Sequence, residues 1–78
     1  RWKEGLLCFE NITFNDLMKE FEKTYDIQII NKNKKLESYI CSGKFRISDG
    51  LDFILHVLQR DVRFSFTRNE NNTIIYIK

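Results

Sequence analysis

One histidine, two cysteines and a scatter of serines and carboxylates are the residues of this 78-residue chain that could do chemistry. Their spacing argues against it. His56 lies between Leu55 and Val57 in a helix-like segment, at the boundary of its apolar face. No nucleophile or carboxylate is spaced to use it as a base. Ser38, Ser42, Ser48 and Ser65 stand outside any Gly-x-Ser-x-Gly context. Cys8 and Cys41 are 33 residues apart, and with one histidine in the chain they cannot assemble a soft-ligand metal set. Both lie in apolar segments and read as buried thiols. A disulfide between them requires neighbouring strands, a matter the sequence leaves open. Asp49 and Asp52 fall at a helix start, where carboxylates meet the positive end of the macrodipole. Three glycines and no proline exclude a glycine-rich phosphate loop and a flexible linker. No enzyme, cofactor or metal is expected.

Charge narrows the partners. Thirteen basic and eleven acidic side chains leave a net +2, too little for an electrostatic nucleic-acid binder. The distribution is uneven: residues 31–46 carry +4, whereas residues 1–30 and 47–61 each carry −2. Lys32, Lys34, Lys35, Lys44 and Arg46 make up the basic stretch. It reads as a solvated loop, with a phosphate or acidic-partner patch as the functional alternative. The two Asn-x-Thr sequons, at Asn11 and Asn71, matter only in a eukaryotic secreted protein.

The elements that position these residues follow from hydrophobic period. A balance of 42% hydrophobic and 31% charged residues is that of one small globular domain spanning 1–78. No apolar run reaches the 18 residues of a membrane helix. Arg1 in place of Met suggests a piece of a longer protein. A strand is expected at 6–10. Thr13 then caps a helix with Asp16 returning the bond, and Ile12 and Leu17 are spaced as a hydrophobic staple. Phe14, Leu17, Met18, Phe21 and Tyr25 make one apolar helix face. Tyr25 is expected to reach out of the core with its hydroxyl, and Trp2 to close one end. Strands follow at 27–30 and 38–45, the second containing Gly43 as a bulge or close approach. A second helix starts near 48–50 with Leu51, Ile54, Leu55 and Leu58 on one face. Alternation predicts a strand at 62–67, a turn at 69–72 and a closing strand at 73–77.

The halves superimpose in pattern. Phe14, Leu17, Met18 and Phe21 repeat as Leu51, Ile54, Leu55 and Leu58 at an offset of 37. The fold class is therefore α+β: two βαβ repeats plus a C-terminal strand, βαββαββ, with two helices packed against small sheets. The RNA recognition motif also runs βαββαβ, but needs an aromatic-rich strand signature. Ser42-Gly43-Lys44-Phe45-Arg46-Ile47 lacks its second glycine and second aromatic.

Order and spacing over the whole chain resemble the C-terminal domain of FecR-type anti-sigma factors of Bacteroidetes. The opening Trp2-Lys3-Glu4-Gly5-Leu6-Leu7-Cys8-Phe9-Glu10-Asn11 is similar to that family's W-x-x-G-x-L-x-F-x-N start. Phe14 through Tyr25-Asp26-Ile27-x-Ile29 resembles its helix and Tyr-Asp-Val strand. Ser42-Gly43-Lys44-Phe45, the Leu51–Leu58 face, Phe64-x-Phe66 and Ile74-Ile75-Tyr76-Ile77 resemble its later steps. Cys8 and Cys41 depart from it, standing where such domains carry ordinary apolar or small residues.

The resemblance implies a fold similar to the secretin/TonB short N-terminal domain. It also implies a periplasmic location, at the end of a protein that crosses the inner membrane once. The absent cytoplasmic part would hold an extracytoplasmic-function sigma factor. The signal would come from the signalling domain of a TonB-dependent outer-membrane transducer. The partner-binding candidates are Ile74, Ile75, Tyr76 and Ile77, read as an edge strand that is apolar on both faces. A scaffolding module of the secretin or TonB type is the alternative function.

Overall fold

The computed structural model describes residues 5–78; Trp2 and the start of the Trp-Gly motif lie outside them. Strand β1 (Leu6–Thr13) alternates Leu7 and Phe9 inward with Leu6 and Cys8 outward. It ends where Thr13 stops being a strand residue and caps helix α1 (Phe14–Tyr25), its Oγ1 accepting the Asp16 N–H at 3.1 Å. The capping box is half made, since Asp16 returns no bond to Thr13 and serves only as the acidic residue of the first turn. At the other end Asp26 takes the left-handed conformation (φ 53°) in which helices commonly stop.

Strand β2 (Gln28–Asn31), a 3₁₀ turn at Lys34–Leu36 and strand β3 (Ile40–Arg46) follow. The turn arises because Asn31 and Asn33 each bend the chain, their side-chain oxygens accepting the N–H two residues on. Helix α2 (Leu51–Leu58) begins after Gly50, at φ 89°. Of the two carboxylates expected at this start, Asp52 lies in the first turn. Asp49 instead ends a 3₁₀ turn and accepts the Arg46 N–H. Strand β4 is shorter than alternation predicts, Phe66–Arg68 rather than 62–67. The chain after residue 58 is spent leaving α2, with Asp61 and Val62 still bonded to Leu58, and it meets the closing strand at Ser65, which exchanges two hydrogen bonds with Lys78. Phe64 nevertheless stays in the core, edge-to-face on Phe14 at 5.5 Å. Strand β5 (Ile74–Ile77) closes the chain.

The strands form two sheets. β1 and β3 pair antiparallel; β5 lies between β2, to which it is parallel, and β4, to which it is antiparallel. The pairing gives the repeat a spatial meaning. β1 of the first βαβ unit meets β3 of the second, and β2 and β4 occupy equivalent flanks of the intervening β5. All eight residues of the repeated helical pattern are buried and share one core with Leu7, Phe9, Ile75 and Ile77. A four-stranded RNA-recognition sheet is not formed, because β1–β3 and β2–β5–β4 separate.

Gly43 is a close approach, as its position suggested. A β-carbon there would stand 3.0 Å from the Phe9 ring, which stacks on Phe45 at 6.0 Å. The bulge lies on the other strand: Glu10 and Asn11 together oppose Ser42, with Asn11 at φ 54° and its N–H on the Ser42 Oγ. Tyr25 packs against the core and sends its hydroxyl to the Ile47 carbonyl at 2.9 Å. Burial, with the nearby Asp49 charge, pushes its phenol pKa up.

Candidate partner-binding site

Residues paired across a sheet share a face, so register sorts the three-stranded sheet. Ile29, Ile75 and Arg68 face one way, as do Asn31, Ile77 and Phe66. This is the helix side. Arg68 reaches Asp52 of α2 at 2.7 Å, and Phe66 packs on the His56 ring at 5.2 Å. Gln28 with Ile74, and Ile30 with Tyr76 and Thr67, face away from the helices. Ile30, Ile74 and Tyr76 are half-buried by their strand neighbours and lie outside the core cluster. Lys32 places its Nζ 5.0 Å over the Tyr76 ring. The result is a small apolar face, one residue wide on β2 and two on β5, rimmed by Gln28, Thr67 and a lysine.

The structure therefore divides the four candidates of the closing strand. Ile75 and Ile77 are fully buried and available only to the core, whereas Ile74 and Tyr76 point outward. The strand is central and not an edge, so no partner strand can add to it. Helix cover accounts for Ile75 and Ile77, whereas Ile74 and Tyr76 are apolar on the face the helices leave open. Ile30 is not a candidate from sequence, and Lys32 is one only as part of the basic stretch, because their place beside Tyr76 is created by a parallel pairing between distant segments. The β-branched run at 27–30 signals a strand there and nothing about its neighbours.

The other chemically capable residues stay apart. His56 Nδ1 lies 3.0 Å from Gln59 Oε1, and Gln59 Nε2 donates to the Phe64 carbonyl, so the pair braces the exit from α2. No group of three metal-ligating side chains occurs among the described residues. The cysteines sit on paired strands yet do not meet, since Cys8 opposes Lys44 and Cys41 opposes Ile12. Cys41 is buried as expected, but Cys8 is exposed, because it occupies an outward position of β1. Burial, and then the charge of Asp61, raise the Cys41 pKa. One thiol, that of Cys8, is expected to react with a disulfide reagent in the native protein, and the second only after denaturation. A thiol count with and without urea checks this. A raised pKa also means that stability from the neutral Cys41 thiol is fully present at neutral pH and is lost as pH rises through the alkaline range in which the thiol ionises.

No helix among the described residues is long and apolar enough to cross a membrane. The profile of the family described as FecR, C-terminal, matches residues 6–76. A crystal structure of a protein assigned as an anti-sigma factor from Parabacteroides distasonis superimposes with a TM-score of 0.82 at 16% identity. The match covers 96% of this chain and 34% of that one, so the chain spans about a third of the length of its structural relative. At that identity the likeness establishes the fold. No curated protein matches the chain.

Proposed function

Because the chain belongs to the FecR C-terminal family, as the match over residues 6–76 shows, we propose that it is the non-enzymatic receiving domain of a transmembrane anti-sigma regulator. It lies in the periplasm and binds the signalling domain of a TonB-dependent outer-membrane transducer. The rest of the protein crosses the membrane and holds an extracytoplasmic-function sigma factor. The observation that supports this reading locally is the outward face of Ile30, Ile74 and Tyr76, an apolar surface built on rigid strands and left uncovered by the domain's own helices. Apolar and aromatic side chains on a fixed scaffold suit a contact surface, since little side-chain entropy is lost on docking.

Tyr76→Asp removes the ring at the centre of this face and adds a desolvation cost for any partner. An affinity loss of about tenfold or more is expected, corresponding to about 1.4 kcal/mol. Titration calorimetry with the purified transducer signalling domain measures it. Unchanged affinity in Ile74→Asp and Tyr76→Asp, with both proteins folded, would remove this face from the mechanism. No binding by the unaltered chain would remove the receiving role itself.

A further inference from the structure

We propose that the outer edge of β3 is a second docking site, one that takes an extended acidic segment of a protein partner by strand addition. The argument starts from which way the backbone points. Ile47 N–H bonds to the Gly5 carbonyl, so β3 residues of the same parity, Phe45 and Gly43, direct their peptide groups toward β1. Lys44 and Ser42 direct theirs away. The Arg46 N–H confirms the parity, because it turns outward to the Asp49 carboxylate.

The other sheet edges are obstructed or short. On β2 the outward Ile29 N–H is taken by the Glu22 carboxylate at 2.6 Å, and the chain beyond is folded back by Asn31. β4 has three residues, and the Phe64 carbonyl before it is held by Gln59. The outer edge of β1 faces a groove whose far wall is α1, at Glu20, Lys23 and Thr24. On β3 the outward peptide groups of Ser42 and Lys44 have no hydrogen-bond partner among the described residues. Beside them Ile40 is 52% exposed. An added strand would find the outward peptide groups of Ser42 and Lys44 there with one apolar contact.

Charge selects the occupant. Lys44 and Arg46 project on the outer face, and their cross-strand neighbours Cys8 and Leu6 are uncharged. Among the described residues the one ion pair is Arg68 with Asp52, and neither Lys44 nor Arg46 pairs with a described carboxylate. Edge lysines deter pairing with like strands. A second copy would bring the same cations against each other, whereas a segment with carboxylates at alternate positions would place them opposite Lys44 and Arg46. The site is separate from the Ile30–Ile74–Tyr76 face, which belongs to the other sheet.

The test uses the 78-residue chain, isotope-labelled, and two synthetic eight-residue peptides alternating Val with Glu or Val with Lys. The Glu peptide is expected to bind, and to slow amide exchange at Ser42 and Lys44. The Lys peptide should not. Binding should weaken with added salt. Lys44→Glu combined with Arg46→Glu should lower affinity for the Glu peptide about tenfold or more. Ser42→Pro removes an outward N–H together with the Oγ that accepts the Asn11 N–H, and should abolish binding while Phe9 and Phe45 amides stay protected; Ser42→Ala, which loses only the bond to Asn11, should still bind. Tyr76→Asp should leave peptide binding unchanged. Equal binding of the two peptides, absence of new protection at Ser42 and Lys44, or the same protection arising from self-association would each overturn the proposal.

Discussion

Ile75→Asp should leave the domain unfolded at room temperature, whereas Tyr76→Asp, one residue along the same strand, should leave it folded. Ile75 is fully buried on the middle strand, flanked by Ile29 of β2 and Arg68 of β4. Losing a buried isoleucine costs about 2–5 kcal/mol. Burying an unpaired carboxylate adds several more, or forces water into the sheet. A domain of this size has a total stability near the lower end of about 5–15 kcal/mol, so the combined loss exceeds it. Arg68 offers no rescue, since its guanidinium is already held by Asp52 through two hydrogen bonds. Tyr76 faces the other way and meets Ile30, Thr67 and Lys32 at the surface, where an aspartate remains hydrated. Far-ultraviolet circular dichroism with urea titration distinguishes the two. A folded Ile75→Asp protein with an unchanged midpoint would mean that the assignment of faces is wrong.

Phe21→Ala is the second large effect, an expected loss of about 3–5 kcal/mol. Phe21 has no exposed surface and joins two elements: its ring meets Phe9 of β1 edge-to-face at 6.4 Å and Tyr25 at 6.3 Å. Phe9 in turn stacks on Phe45, which meets Phe53 of α2 at 6.5 Å. The rings therefore run from the centre of the core to the surface, and position along the run sets the cost of truncation. Phe53, at the outer end, is 50% exposed. Phe53→Ala should cost well under half as much, because much of its ring never left water. Urea midpoints of the two variants measured side by side, with the slope held constant, test the ordering. Equal losses would show that the first helix is not anchored through Phe21.

Helix faces were the most legible part of the protein, for a local reason. A period of 3.6 depends only on residues a few positions apart, so both four-residue faces and the offset of 37 between them could be read directly. The Thr13 cap was legible for the same reason. Strand ends were less so, because pairing partners determine them. Alternation over 62–67 is real, and Phe64 is in the core, yet bonding to the closing strand begins only at Ser65, which exchanges two hydrogen bonds with Lys78.

Two features separated sequence from structure more sharply. Cys8 and Cys41 looked alike in their apolar surroundings, but one faces solvent and the other the core, because strand parity reverses the side on which each lies. The closing strand was read as an edge from its sticky faces and proved to be central. A strand's apolar composition carries no information on which strands lie beside it. Of the candidate partner face, Ile74 and Tyr76 could be named from sequence, while Ile30 and Lys32 joined them only through the parallel pairing of β2 with β5.

The amino-acid sequence by itself therefore determined the α+β class, the repeated βαβ unit, the helical half of the core and the family. Each rests on short-range periodicity or on ordered motifs along the chain. Tertiary structure alone decided which strand lies in the middle, which two of four closing-strand residues remain outside the core, and which edge keeps its peptide groups open. Those outcomes depend on hydrogen bonds between segments tens of residues apart, and on a parity that a one-residue bulge at Glu10 and Asn11 is enough to shift.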